Sequence, residues 1–273
     1  MSILWIIVVL GFIALNIWIY RSKHPVARVL FYFMSVIGVL VLVGSVFVMQ
    51  DVKNFNENFP ISKNLFLLSE NGELISALAI DPSQGNAAIY FNDSEFSSMV
   101  EMFKFGDEGL NDISEGYYKT LVFSMPVFDE METFDIFLDN YSFNKSFALT
   151  LLRSKIPRDL VANRIIKSRN LTHEEGMYLS IKDQLGSDVY VKQLVFAMLS
   201  NEFLSKGTES SANMLLEIKK GNIIIYPKTL LFKFVDYLPE NIVRQAISAV
   251  EKRGAWMGIG DKLMFWKKND SLD

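Results

Sequence analysis

The chain has 273 residues, half of them hydrophobic and 13% aromatic, with 22 phenylalanines, so it can bury a sizeable core and lacks the composition of a disordered segment. Its net charge is −4, but all 31 acidic residues and 24 of the 27 basic ones lie from Asp51 onward, which leaves that part mildly acidic. A nucleic-acid-binding domain would carry a basic stripe, so no nucleic-acid partner is expected, and the absence of cysteine excludes disulfide scaffolds, thiolate metal sites and cysteine nucleophiles.

Residues 3–20 form an apolar run interrupted by Asn16, and residues 29–49 form a second run whose polar members are Ser35 and Ser45. Roughly 20 helical residues cross a hydrocarbon core about 30 Å thick, so both runs have the length of a span. The sequence therefore predicts a membrane-anchored α+β protein. Residues 1–50 would form a two-helix transmembrane hairpin, followed by a soluble α+β domain with an antiparallel β-meander and a helix-rich C-terminal half.

Between the two runs, "RSKHPVAR" gathers Arg21, Lys23 and Arg28 in a short turn. Short loops rich in Lys and Arg stay cytoplasmic, which predicts a cytoplasmic-membrane location with the soluble domain on the outer side. Trp5, Trp18 and Tyr20 suit interfacial anchors, with membrane lipid as a partner, and Asn16 suits hydrogen bonding between paired helices.

Residues 51–63 read as a polar stalk. After it, Asn71-Gly72 sits between two β-prone runs, the preferred chemistry of a two-residue type I′ turn. Antiparallel strands are expected over about 64–69, 73–80 and 87–92. A helix capped by Asp93 or Ser94 and ended by Gly106 follows, then a strand around 117–125 that would close an α+β lobe over 64–125.

The remainder, 126–273, reads as a helix-rich lobe or as a continuation of the same domain. Pro157 suits a first helical turn, and Thr172 with Glu175 has capping-box spacing. "VYVKQLVFAMLSNEFLS" is apolar enough for a central helix or a strand, residues 209–221 have helical spacing, and "NIIIYP" reads as a strand.

Motifs for chemistry are missing. His173 in "HEEGM" lacks the second imidazole of a zinc-binding H-E-x-x-H, and His24 lies in the basic turn. Neither a phosphate-binding glycine loop nor a nucleophile elbow occurs, and "GAWMGIGDK" reads as a helix stop and turn. The carboxylates of "GDEGLND" and "DEMETFD" read as helix starts and solvated loops rather than as calcium ligands. Thus no catalytic, cofactor-binding or metal-binding residue is assigned, and an enzyme ranks last. In the basic stretch 153–169, Arg158, Arg164, Lys167 and Arg169 are candidates for docking on an acidic partner or on anionic headgroups.

These readings rank a membrane-tethered extracytoplasmic binding or assembly protein first, as a subunit of a larger membrane complex or a homo-oligomer with protein partners. A ligand-sensing ectodomain paired with a separate signalling subunit is the second reading. An oligomeric channel or transporter subunit is the third.

Overall fold

The computed structural model of the chain describes residues 17, 25–84, 87–138, 141–169, 175–205, 207–241 and 243–244. Trp5, Asn16, Trp18, Tyr20, Arg21, Lys23, His24 and His173 lie outside them, as does the glycine-rich stretch 254–262. The chain divides into two compact units, Met1–Asn54 and Phe55–Asp273.

The first unit is described chiefly by helix α1, Pro25–Asn58. Pro25 opens it, a position where a missing N–H costs nothing, and Arg28 falls in its first turn. The helix does not stop at Met49. It runs on through Asp51, Lys53 and Glu57, so most of the expected polar stalk is helical, and it gives way to a 3-10 turn, Phe59–Ile61, at Pro60. No glycine or proline interrupts residues 50–59, which explains the continuation.

Among the described residues, no helix is long and apolar enough to cross a membrane. The transmembrane hairpin and the cytoplasmic-membrane address are corrected accordingly. Residues 3–20 lie outside the described residues except Ile17, and the second expected span is no separate element but part of a longer helix whose last turns are charged.

The second unit is built on a mixed five-stranded sheet of order β3-β2-β1-β4-β7. Its strands are β1 (Asn64–Glu70), β2 (Glu73–Asp81), β3 (Ala87–Tyr90), β4 (Lys119–Ser124) and β7 (Ile223–Tyr226). The β1–β2 hairpin turns at Asn71 and Gly72, both with positive φ (53° and 81°), the geometry a type I′ turn demands. The antiparallel meander β1–β2–β3 is therefore present, but β4 joins β1 in parallel and β7 joins β4 antiparallel. A wholly antiparallel lobe ending near residue 125 is thus replaced by a mixed sheet completed by a strand about 100 residues later in the sequence. A parallel pair needs a long crossover, which β2, β3 and two helices supply.

Both faces of the central strands are buried, which is why β1 and β4 read as continuous apolar runs instead of alternating ones. On one face Leu65, Leu67, Ala77, Ala79 and Val122 pack beneath Phe96 of α2 (Asp93–Phe103) and Leu110 and Ile113 of α3 (Asp107–Ile113). Helix α2 is capped by Asn92, one residue before the expected positions, in a full capping box with Glu95.

The other face carries Phe66 and Phe123, covered by helix α8 (Asp188–Ser205) and by Phe128 of the short α4 (Pro126–Asp129). Phe123 is the hub. Its ring centroid lies 6.3 Å from Phe66, 5.8 Å from Phe128, 6.1 Å from Phe196 and 5.9 Å from Phe203. Phe66 meets Phe59, which stacks on Phe55 at 4.8 Å, and Phe55 meets Phe232 of α10 (Leu230–Tyr237). Helix α8 is also fixed by a buried amide: Gln193 accepts from the N–H of Phe91 (3.0 Å) and donates to its carbonyl (3.1 Å), acting as a strand partner just past β3.

A separate two-stranded sheet, β5 (Asp135–Leu138) with β6 (Tyr141–Asn144), leads into α5 (Lys145–Arg153) and α6 (Pro157–Ser168). Helices α7 (Glu175–Gln184) and α9 (Gly207–Lys220) flank α8 in sequence. Because Phe123 is fully buried against four other rings, Phe123→Ala should lower unfolding stability by about 3–5 kcal/mol. Chemical denaturation of the full chain checks this, and a loss below about 1 kcal/mol would contradict the packing described.

Candidate functional site

A cleft of ≈ 730 Å³ opens among α4, α5 and α6, lined by Asp129, Thr133, Lys145, Thr150 and Arg153 among others. Its polar groups face one another. Asn144 caps α5 by accepting from the N–H of Phe147 (2.9 Å), and the Lys145 ammonium donates to the carbonyls of Asp129 and Met131. Arg153 donates to Asp129 (2.8 Å) and to Glu70 of β1 (2.8 Å), and these bonds raise its already high pKa. The hydroxyl of Thr150 donates to the Ser146 carbonyl, and that of Ser154 accepts from the N–H of Ile156. What results is a joint between β1, α4 and α5, and among the described residues of the cleft no nucleophile is held against a base.

The four basic candidates are distributed differently from a docking patch. The backbone N–H of Arg158 donates to Asp188 (3.0 Å) and its guanidinium to the Gly186 carbonyl, which ties the start of α6 to the start of α8. Arg164 lies over the Phe147 ring (5.6 Å) and Arg169 over the Tyr141 ring (4.9 Å), while Lys167 is exposed. Three of the four thus pack on this chain's own groups through cation–π or hydrogen-bond contacts.

The acidic stretches also resolve into structure. Asp107 and Glu108 occupy the first turn of α3, where the helix dipole favours negative charge. Asp129 pairs with Arg153, and Glu130 with Lys220 at 3.1 Å. Among the described residues no three His, Asp or Glu side chains gather as metal ligands. Asn92 and Asn144 both serve as helix caps.

Two further polar groups stand apart. The Tyr90 hydroxyl is buried without a hydrogen-bond partner, and burial, with Tyr190 beside it, pushes its pKa up to about 12. Asp159 of α6 accepts from Lys182 (2.7 Å) and Tyr178 of α7, and those bonds hold its carboxyl below the usual carboxylate range.

The most extensive exposed apolar feature among the described residues lies on helix α1. Along α1, Val26, Val29, Phe33, Val36, Val39 and Val46 are each more than half exposed, with Tyr32 and Phe47 beside them. At about 100° per residue these side chains spread over an arc of about 160°, a little under half of the circumference. The sequence marked these residues as apolar but could not say which of them the rest of the chain covers.

Comparisons with protein families, with characterised proteins and with solved structures find no match to this chain. Its site must therefore be read from its own geometry.

Asp159 gives a pH prediction. Its pKa is lower folded than unfolded, so the contact adds stability above the unfolded value and loses it as pH falls through the folded one. The stability difference between the native chain and Asp159→Asn should therefore shrink as pH drops below about 4. Denaturation midpoints at several pH values measure it, and a difference equally large at neutral and acid pH would contradict the assignment.

Proposed function

We propose that this chain is a binding and assembly protein whose helix α1 packs against helices of other subunits. The observation that carries the reading is the exposed apolar surface of α1 between Val26 and Phe47. A helix with so broad an exposed apolar face is stable in water only when other apolar surface covers it. A single pairing seam covers the narrower a/d stripe, so an arc approaching half the circumference suits more than one neighbouring helix. No Asp, Glu, Lys, Arg or His lies between Arg28 and Asp51 to oppose that packing.

A catalytic role has less support. The cations and hydroxyls of the polar cleft hold elements of this chain together, and the basic candidates on α6 are largely engaged within it. A second copy of the chain is the simplest source of matching helices, because closed symmetric homo-oligomers dominate soluble assemblies.

Sedimentation of the full chain tests this. The native chain should run as an oligomer of three or more copies, about the number the arc requires, and the pair Val36→Lys with Val39→Lys should shift it to monomer. Far-ultraviolet circular dichroism should stay unchanged, since both side chains are exposed. A native chain that is monomeric at all concentrations overturns the reading. So does an oligomer indifferent to the two lysines, or uptake of monomers by phosphatidylcholine vesicles in place of self-association.

A further inference from the structure

The edge of the small sheet carries a second surface. In β5 and β6 the register pairs Ile136 with Phe143 and Leu138 with Tyr141. The Lys145 N–H donates to the Phe134 carbonyl at 3.0 Å, which fixes the phase of the ladder. Hydrogen-bonded pairs alternate in an antiparallel ladder, so the backbone groups of Ile136 and Leu138 turn toward β6. Those of Asp135 and Phe137 turn the other way, to an edge that carries no further strand among the described residues.

Beside that edge runs a groove of ≈ 390 Å³ whose opposite wall is α8. Phe134, Ile136, Phe137 and Met198 give it an apolar lining, and Phe137 is 63% exposed. The side-chain oxygen of Asn201 is buried there without a hydrogen-bond partner, an acceptor waiting for a donor. The ionisable groups of the lining are the carboxylates of Asp135 and Glu202, with no Lys or Arg among them.

We propose that this groove binds an extended, basic segment of a partner protein, which adds a third strand to the β5–β6 sheet along β5. The outward N–H and C=O of Asp135 and Phe137 set the extended conformation, because only a strand presents complementary groups at that spacing. One side chain of the segment enters between Ile136 and Met198, and its neighbours, alternating in direction, meet Phe137 and solvent. Asp135 at the rim selects Lys or Arg beside the apolar residue, and Asn201 accepts a donor from the bound segment. The surface uses none of the α1 residues, so it stands or falls separately from the assembly reading.

The test is selection of a displayed library of random nine-residue peptides on the full chain. Enriched peptides should alternate apolar residues and carry Lys or Arg, and the best should bind Met198→Lys about tenfold more weakly than the native chain. Binding should slow hydrogen exchange of the Asp135 and Phe137 amides, and N-methylation of the peptide at alternate residues should abolish it. Phe137→Pro, which removes one outward N–H, should act like Met198→Lys. If Phe137→Pro fails to fold, the Met198→Lys and N-methyl arms still decide the question. Absence of enrichment, acidic consensus peptides, or binding indifferent to N-methylation and to Met198→Lys would overturn the proposal.

Discussion

Apolar surface must be covered, and the fold is organised by how that requirement is met around Phe123. The strand that carries this residue has a parallel neighbour, β1, and an antiparallel one, β7, and both its faces are buried. Rings from β1, α4 and α8 converge on it, and a ring-to-ring path continues through Phe59 to Phe55 at the end of α1. Elements distant in sequence meet at this cluster, so β4, α8 and the last turn of α1 depend on one another through shared packing. The polar contacts described around it serve registration. Gln193 fixes α8 against the end of β3, and the Arg153 pairs hold α5 against β1. Exposed ion pairs of that kind contribute about 1 kcal/mol or less, so the core decides stability and the polar joints decide alignment.

Along α1, among the described residues, a row of apolar side chains is exposed. The exposed apolar residues of the Phe55–Asp273 unit, such as Phe105 and Phe137, are scattered, whereas Val29, Val36 and Val39 are each more than half exposed along one helix. Native chains do not leave such an expanse in water, which turns a packing fact into an argument about assembly. The groove beside β5 is a different kind of surface. It is small, its backbone groups are directional, and it suits recognition of a segment where α1 suits formation of a bundle.

Local chemistry was legible in the sequence where one or two residues dictate a conformation. Asn71-Gly72 announced its hairpin because few other pairs tolerate positive φ twice, and Pro157 announced the start of α6. Pairing at a distance was not legible. Nothing in "KTLVFS" says whether it lies parallel or antiparallel to β1, and "IIIY" does not say that it completes the same sheet. The β5–β6 hairpin escaped notice because its strands are four residues long and begin in an acidic stretch that read as a solvated loop. The basic residues of α6 were visible as charges, but their engagement with Gly186, Phe147 and Tyr141 depends on tertiary contacts. Length and hydropathy suggested a pair of membrane spans, yet they did not reveal that the second run continues as helix through Asp51 and Glu57.

The chain has no cysteine, so one introduced thiol reports on one position. The most direct test of the central claim places single cysteines in turn at Val29, Val36, Val39 and Val46 in the full chain and measures disulfide cross-linking between copies. Assembly through α1 predicts efficient cross-links at several of these positions along the exposed face of the helix, against none at exposed Ile224 of β7. Thiols along α1 that stay uncross-linked and react freely with a water-soluble reagent would contradict it.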